Sequence, residues 1–280
     1  TDMAPATVQR YETSLKHTRD FVWETYHKKD VLLDEVSRQF IEDYEFWLKT
    51  EKKCCHNTAT KYLKNFKKII RIALAKGWMK NDPFLEIRFS LDKVEPDFLE
   101  DSEIQKLISK EIDIPRLSQV RDIFVFCCFT GLAFSDIHGL RKEHIVEDSN
   151  GVRWIRKGRQ KTKIMCNIPL IEIPLKILEK YSTNEYCKKY GVLFPVLCNQ
   201  KMNAYLKELA DICGIKKTLT THVGRHTFAT FALANGVSIE SVAKMLGHTN
   251  VQMTRHYARV LDRTVIREMS QIKMDLHFSM

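Results

Sequence analysis

Apolar residues recur at helical spacing through most of the first 89 residues. The clearest stretch covers residues 57–77, where Asn57 is a suitable N-cap and Gly77 a suitable C-cap. Its apolar positions fall at i, i+3, i+7 and i+11 and form one stripe: Leu63, Phe66, Ile70 and Leu74. Two earlier periodic stretches cover residues 7–27 and 33–49. The pattern predicts a small domain of helices.

A second pattern follows a break in the periodicity. Pro83 and the polar residues 92–97 predict a linker at residues 93–98, between one domain of residues 1–92 and another of residues 99–280. The second domain opens with helical periodicity and continues into an apolar helix. Two β-type segments then flank Gly158, which favours a hairpin. The predicted fold class is mainly α with a small antiparallel β-sheet, an α+β arrangement.

The charge of the chain points to a polyanionic partner. The formal net charge is +10, and the sequence contains no apolar run of the roughly 18 residues that a membrane span needs. Residues 49–80 carry ten basic side chains and one acidic side chain. Because lysine and arginine bind phosphates and release counterions, this imbalance favours DNA over solvent as the neighbour of that helix face. The predicted DNA-binding residues are Lys61, Lys64, Lys67, Lys68 and Arg71.

The eight cysteines indicate neither a metal site nor a disulfide framework. None forms a C-x-x-C pair, and no cysteine–histidine group has zinc-finger spacing. This usage is typical of a reducing compartment, so we expect a cytoplasmic protein. We expect no metal, no cofactor and no membrane partner.

The strongest chemical signal lies near the C-terminus. His222 and Arg225 are three residues apart, which places both on one face at the start of a predicted helix. Free backbone N–H groups and the helix dipole favour an anion there, and arginine is a bidentate phosphate donor. His248, in a Leu-Gly-His segment, follows Arg225 by 23 residues, and Tyr257 follows nine residues later. Each element alone is weak evidence, whereas the ordered series is rare.

This series resembles the tyrosine recombinase (integrase) family, particularly the integrases of conjugative transposons and related mobile elements. The similarity extends over essentially the whole chain, and it implies a helical core-binding domain followed by a catalytic domain. It also implies a site-specific recombinase that integrates or excises a mobile element through a 3′-phosphotyrosyl intermediate. Tyr257 is then the nucleophile, and the implied residues around the scissile phosphate are Arg225, His222, His248 and Lys161.

The chemistry of these side chains supports the same reaction independently of the family resemblance. A tyrosine oxygen that attacks a phosphodiester displaces the 5′ oxygen and stores the bond energy in a phosphotyrosyl link, so no ATP is needed. Cationic donors such as Arg225 and His222 then stabilise the charge on the phosphoryl oxygens. Lys161 is suited to protonate the leaving oxygen, and His248 to support the phosphate or the nucleophile by hydrogen bonding.

One position departs from the family pattern. Ala133 stands where the family places its first catalytic arginine, although Asp136 matches the acidic residue that follows it. Arg159 lies two residues before Lys161, and on an extended strand both side chains would point to the same side. We therefore predict that Arg159 supplies the second guanidinium. The alternative is that Arg159 only contacts the DNA backbone.

The resemblance also implies a bacterial protein associated with the nucleoid, and it sets expectations about partners. Duplex DNA is the expected substrate, bound by a homo-tetramer on synapsed DNA sites, with accessory DNA-bending proteins as further partners. The apolar residues after Asp262 predict a C-terminal helix that packs on a neighbouring protomer or on its own domain. Two other functions remain open: a DNA-binding accessory protein that lost catalysis through Ala133, and a type IB topoisomerase.

Overall fold

A computed structural model describes residues 3–257 and 269–270 of the chain. The chain divides into two compact units, residues 1–95 and 96–280. The apolar C-terminal segment that begins at Asp262 lies outside the described residues, except for Met269 and Ser270. The prediction that this segment packs on a neighbour therefore stays a prediction.

The first unit contains three long helices: α1 (Pro5–Tyr26), α2 (Arg38–Thr50) and α3 (His56–Ala75). Helix α2 begins after Ser37, whose side-chain oxygen accepts a hydrogen bond from the backbone N–H of Phe40. The prediction of Asn57 as N-cap is wrong, because α3 begins at His56 with Cys55 in the capping position. The Asn57 amide is used elsewhere: it donates to the carbonyl of Asp92 at 3.0 Å and accepts from the N–H of Asp92 at 2.8 Å.

Aromatic side chains form much of the core of the first unit. Phe21 contacts the rings of Phe40 and Tyr44 at centroid distances of 5.1 and 5.0 Å, which joins α1 to α2. Leu63 and Ile70 of the predicted stripe are buried in the same core. Edge-on and tilted ring pairs stabilise a core by more than the buried area alone. The apolar pattern therefore identified the face of α3 that packs.

The second unit contains nine helices and three strands among the residues that the structure describes. The helices are α4 (Asp101–Ser109), α5 (Pro115–Thr130), α6 (Phe134–His138), α7 (Glu172–Tyr181), α8 (Glu185–Tyr190), α9 (Asn199–Ile212), α10 (Thr221–Ala234), α11 (Ile239–Leu246) and α12 (Gln252–Arg255). The strands are β1 (Ile145–Glu147), β2 (Arg153–Gly158) and β3 (Met165–Pro169). No helix within residues 3–257 is both long and apolar enough to cross a bilayer.

The three strands form one antiparallel sheet in the order β1-β2-β3. Ile155 on the central strand faces Ile145 on one side and Ile168 on the other. The predicted hairpin is β2–β3, and the structure adds β1, which is too short for alternation to reveal it. The predicted fold class, mainly helical with a small antiparallel sheet, is confirmed.

Helix α5 is the centre of the second unit and packs against α7, α9 and α10. Its side chains are buried nearly all round, as expected of a helix enclosed by others. Gly224 allows α10 to approach closely, because a Cβ atom there would lie 3.2 Å from the Cβ of Cys127 and 3.3 Å from the Phe124 ring. This contact brings the first turn of α10 beside α5.

Candidate functional site

Arg225 is the fifth residue of α10 and is only 2% exposed. Its Nη1 donates to the carbonyl of Gly131 at 2.6 Å, and its Nη2 donates to the carbonyl of Leu246 at 2.7 Å. Gly131 caps the C-terminus of α5, and Leu246 is the last residue of α11. Carbonyls at helix C-termini carry partial negative charge, so two helix ends stabilise the buried guanidinium.

His248 contacts the same guanidinium and its protonation state follows from that contact. The Nη2 of Arg225 lies 3.0 Å from Nε2 of His248, and because arginine only donates, Nε2 must accept. The ring hydrogen is then on Nδ1, which lies 2.8 Å from Oγ1 of Thr254. Burial, together with the charges of Arg225 and Arg159, lowers the pKa of His248 to about 4. The ring is therefore neutral at physiological pH.

Tyr257 is 8% exposed and its ring lies among histidines. The His248 ring is nearly parallel to it at a centroid distance of 5.9 Å, and the His226 ring lies 4.8 Å away. The His226 ring in turn stands edge-on to the His222 ring at 4.4 Å. The structure thus brings together the predicted residues Tyr257, His222, Arg225 and His248. His226 was not among the site residues predicted from the sequence, although its position four residues after His222 on a helix was a usable signal.

Arg159 belongs to the same electrostatic environment. Burial lowers the pKa of Arg225 and the charge of Arg159 lowers it further, whereas Tyr257 raises it through its charge and through a side-chain hydrogen bond. Burial also lowers the pKa of His222, with smaller contributions from the charges of Arg225 and Arg159. A second guanidinium therefore acts on the cluster although Ala133 supplies none. Ala133 instead caps α6, and its carbonyl accepts from the N–H of Asp136.

Asp136 positions Arg159 and the turn that follows it. Its carboxylate is 2% exposed and lies 3.4 Å from Nε of Arg159 through one oxygen. The other oxygen accepts from the backbone N–H of Gln160 at 2.9 Å. A buried carboxylate requires such partners. The Asp136 contact uses Nε of Arg159, so it leaves the two outer nitrogens of the guanidinium for other partners.

The expectation that Arg159 and Lys161 share one side of an extended strand is wrong. Strand β2 ends at Gly158, and residues 160–162 form a turn. Lys163 has a φ of +60°, which reverses the chain direction before β3. Lys161 is exposed on this turn, and the hydroxyl of Thr162 donates to the carbonyl of Gly247 at 3.3 Å. The turn is therefore attached to the Leu-Gly-His segment.

Gly247 is required by this close packing. Its φ is +60°, and a Cβ atom there would lie 2.7 Å from Cδ of Arg159 and 2.7 Å from Sγ of Cys166. Both distances are shorter than a van der Waals contact, so a side chain at this position would displace Arg159. The glycine of the Leu-Gly-His segment therefore lets Arg159 lie against the end of α11.

The predicted DNA-binding residues of α3 do not form a uniform set. Four of them are exposed and lie outside the buried stripe: Lys61, Lys64, Lys68 and Arg71. Lys67 is half-buried, and its ammonium donates to the carbonyl of Phe84 at 3.3 Å and lies 5.3 Å from the Phe84 ring centroid. Lys67 therefore contributes to the packing of the first unit, whereas the other four remain candidates for phosphate contacts.

Within the described ranges, no group of three or more histidine, cysteine, aspartate or glutamate side chains has the geometry of a metal site. The side chains grouped around Tyr257 comprise the guanidinium groups of Arg225 and Arg159 and the rings of His248, His226 and the partly exposed His222.

The sequence matches two known families over nearly its whole length. Residues 97–264 match the Phage integrase family, and residues 1–91 match the Phage integrase SAM-like domain. A Tyrosine recombinase of Pseudothermotoga lettingae is 30% identical over 84% of this chain and 82% of the relative. Tyrosine recombinase XerD of Shewanella oneidensis is 24% identical over 95% of this chain and 89% of the relative.

Solved integrase structures have the same fold. Lambda integrase (residues 75–356), as a dimer bound to a COC' core site, has a TM-score of 0.74 and 16% identity over 99% of this chain and 94% of that chain. The Tn1549 transposon integrase in complex with circular intermediate DNA has a TM-score of 0.73 and 19% identity over 96% of this chain and 94% of that chain. With the sequence relatives, these similarities identify this chain as a member of the phage integrase family of tyrosine recombinases, a site-specific DNA recombinase.

Proposed function

We propose that this recombinase integrates or excises a mobile element, with Tyr257 as the nucleophile that forms a 3′-phosphotyrosyl bond to DNA. The observation that carries the proposal is the packing of Tyr257 against His248, whose ring is bonded to the buried Arg225. The similarity to an integrase of the Tn1549 transposon supports the mobile-element part. A homo-tetramer on synapsed DNA sites and accessory DNA-bending proteins are the partners that we propose.

In the proposed reaction the Tyr257 hydroxyl loses its proton to solvent as its oxygen bonds to phosphorus, and the bond from phosphorus to the 5′ oxygen breaks. Arg225 donates both Nη2 hydrogens and one Nη1 hydrogen to the protein, to Leu246, His248 and Gly131. The guanidinium is also hydrogen-bonded to the Tyr257 side chain, so its two other N–H groups, at Nε and Nη1, face the nucleophile and the proposed position of the reacting phosphate. Because the guanidinium is already held in place, little reorganisation accompanies the development of charge.

The other site residues have complementary roles in this proposal. His248 is neutral and uses Nε2 to orient Arg225, so it acts on the phosphate through the arginine. His222 is open to solvent beside the cluster and donates a hydrogen bond to the phosphate. Lys161, on the exposed turn, protonates the leaving 5′ oxygen, and Arg159 supplies the second guanidinium.

The proposed function is tested by covalent capture. A library of nicked duplexes with a randomised core is incubated with the protein in EDTA, and DNA that remains attached after denaturation is sequenced. We expect recovery of one related set of sites and a DNA-modified peptide that contains Tyr257. Recovery of no adduct would favour the accessory-protein function, and adducts without sequence preference would favour a type IB topoisomerase. The mobile-element part fails if the captured site does not flank a mobile element.

Charge reversal on α3 tests the DNA surface of the first unit. Replacement of Lys61, Lys64 and Lys68 by glutamate should weaken DNA binding and reduce the slope of log affinity against log salt by about 0.9 for each lost phosphate contact. The measurement is a salt titration of binding to the captured duplex. Lys188 and Lys189 on α8, replaced together, serve as a control for net charge. An equal slope change in both variants would contradict a specific role for α3.

Substitution of Gly247 tests the packing of Arg159. Gly247→Ala should slow cleavage by about tenfold or more, because a displacement of a catalytic group by even an ångström is costly. Gly214→Ala is a matched control, because Gly214 has a φ of +63° but nothing lies within 4 Å of its added Cβ. Both variants share the backbone strain, and only the first displaces Arg159. Equal single-turnover cleavage rates in the two variants would contradict the packing argument.

A further inference from the structure

Thr254 connects His248 to the nucleophile segment. It lies on α12, between the two residues in the sequence, and it is fully buried. Its side-chain oxygen lies 2.8 Å from Nδ1 of His248, and its carbonyl accepts from the backbone N–H of Tyr257 at 2.9 Å. One residue therefore contacts both the histidine that orients Arg225 and the backbone that carries the proposed nucleophile.

We propose that Thr254 is a positioning residue, which fixes the tautomer of His248 and thereby the orientation of Arg225. The inference rests on the proposed role of Arg225 and Tyr257 in cleavage. The His248 ring must accept at Nε2, because the neighbouring Nη2 of Arg225 can only donate. The neutral ring then carries its hydrogen on Nδ1, and this hydrogen requires an acceptor. The Thr254 hydroxyl is that acceptor.

Removal of the acceptor has a predictable effect on the histidine. With valine at position 254 the shape is nearly unchanged, but the Nδ1 hydrogen of His248 loses its partner. A buried N–H without a partner is unfavourable, so the ring favours the tautomer with its hydrogen on Nε2. That hydrogen then points at the Nη2 hydrogen of Arg225, because the two nitrogens lie only 3.0 Å apart in the structure. Two donors that face each other form no hydrogen bond. The arginine loses one of the contacts that orient it.

The effect on Tyr257 differs from the effect on His248. The N–H of Tyr257 is bonded to the Thr254 carbonyl, which every substitution of that residue retains. The serine variant also keeps the hydroxyl, and the valine variant keeps the buried volume. The hydroxyl is therefore separable from the packing and from the backbone contact.

The first measurement is single-turnover formation of the covalent adduct on the nicked duplex recovered by covalent capture. We expect Thr254→Val to slow adduct formation by about tenfold, the rate equivalent of one lost hydrogen bond, and Thr254→Ser to stay within about threefold of the wild type. Binding of uncleaved DNA should be unchanged. Thr60→Val, at a buried threonine of α3, is the control for loss of a buried hydroxyl elsewhere. Equal slowing by the valine and serine variants, or a wild-type rate for Thr254→Val, would overturn the proposal.

The second measurement needs no DNA, and its wild-type part does not depend on the valine variant. The ring nitrogens of ¹⁵N-histidine-labelled full-length protein report the tautomer of each histidine by NMR, and His248→Gln assigns the signal. We expect His248 of the wild type to carry its hydrogen on Nδ1 at pH 7, and the Nε2-protonated form to appear in Thr254→Val. An Nε2-protonated or doubly protonated His248 in the wild type would overturn the proposal.

Tyr257→Phe, measured in the same adduct assay, separates this inference from the proposed function. If Tyr257→Phe still forms the adduct, the nucleophile assignment fails, whatever Thr254 does. If Tyr257→Phe forms none but Thr254→Val reacts at the wild-type rate, the assignment stands and the positioning role of Thr254 fails.

Discussion

Tyr257→Phe is expected to abolish covalent adducts with nicked DNA and to leave the affinity for uncleaved DNA unchanged. The substitution removes only the oxygen that would bond to phosphorus. The phenylalanine ring still fits the buried position between His226 and His248, whose ring centroids lie 4.8 and 5.9 Å from that of Tyr257. Folding should therefore be retained while the nucleophile is lost.

The measurement is the yield of denaturation-resistant protein–DNA complex, with affinity determined separately by a mobility shift. Tyr205→Phe is a matched control, since Tyr205 is also partly buried and its ring lies against the guanidinium of Arg116 on the surface of the second unit. That variant should form adducts at the wild-type rate. A normal adduct yield from Tyr257→Phe would show that another residue attacks the phosphate.

Arg159→Ala is expected to slow cleavage by about a hundredfold or more while changing the affinity for DNA only slightly. The reacting phosphate carries additional negative charge, and Arg225 alone contacts only part of it. Loss of one donor directed at such charge costs about 3 kcal/mol in activation free energy. Arg159 is the second guanidinium whose charge affects both His222 and His248, which supports its placement at the phosphate.

The alternative role of Arg159, as one DNA backbone contact among several, makes a different prediction. Its loss would then weaken binding but spare the cleavage rate at saturating protein. Arg156→Ala is the control, because Arg156 is an exposed cation on β2 that lies outside the cluster. Partial recovery of cleavage in Arg159→Ala by Ala133→Arg would show that both positions serve one phosphate. A rate for Arg159→Ala within about threefold of the wild type, less than 1 kcal/mol, would exclude the catalytic role.

The features that the sequence predicted correctly are those with a regular repeat or a fixed local spacing. The stripe on α3 follows the helical period, and its buried positions Leu63 and Ile70 lie in the core. His222 and Arg225 lie on one face near the start of α10 because residues three apart on a helix are neighbours on its surface. Charge, by contrast, did not distinguish Lys67 from its neighbours, because its partner Phe84 comes from a distant segment.

The features that the sequence missed depend on contacts between distant segments. The direction of Arg159 is set by Asp136, 23 residues earlier, and by the packing against Gly247. An assumption of continued strand geometry therefore failed at the end of β2. Thr254 was missed for a related reason: a threonine near a tyrosine has no special spacing until His248 is placed beside it. The sequence shows alanine at position 133 where the family has an arginine, but it offers Arg159 as the replacement only as a hypothesis.

The attachment of Arg225 to main-chain carbonyls has an evolutionary consequence. The oxygens that hold the guanidinium belong to the backbone of Gly131 and Leu246, and every amino acid carries such an oxygen. Neutral drift in the side chains around the site therefore cannot remove these two acceptors while the helix ends stay in place. A lineage can replace the residue at position 133, two positions beyond Gly131, and still inherit an anchored arginine. In the proposed site, Arg159 then supplies the second cation while Arg225 stays anchored in the same way.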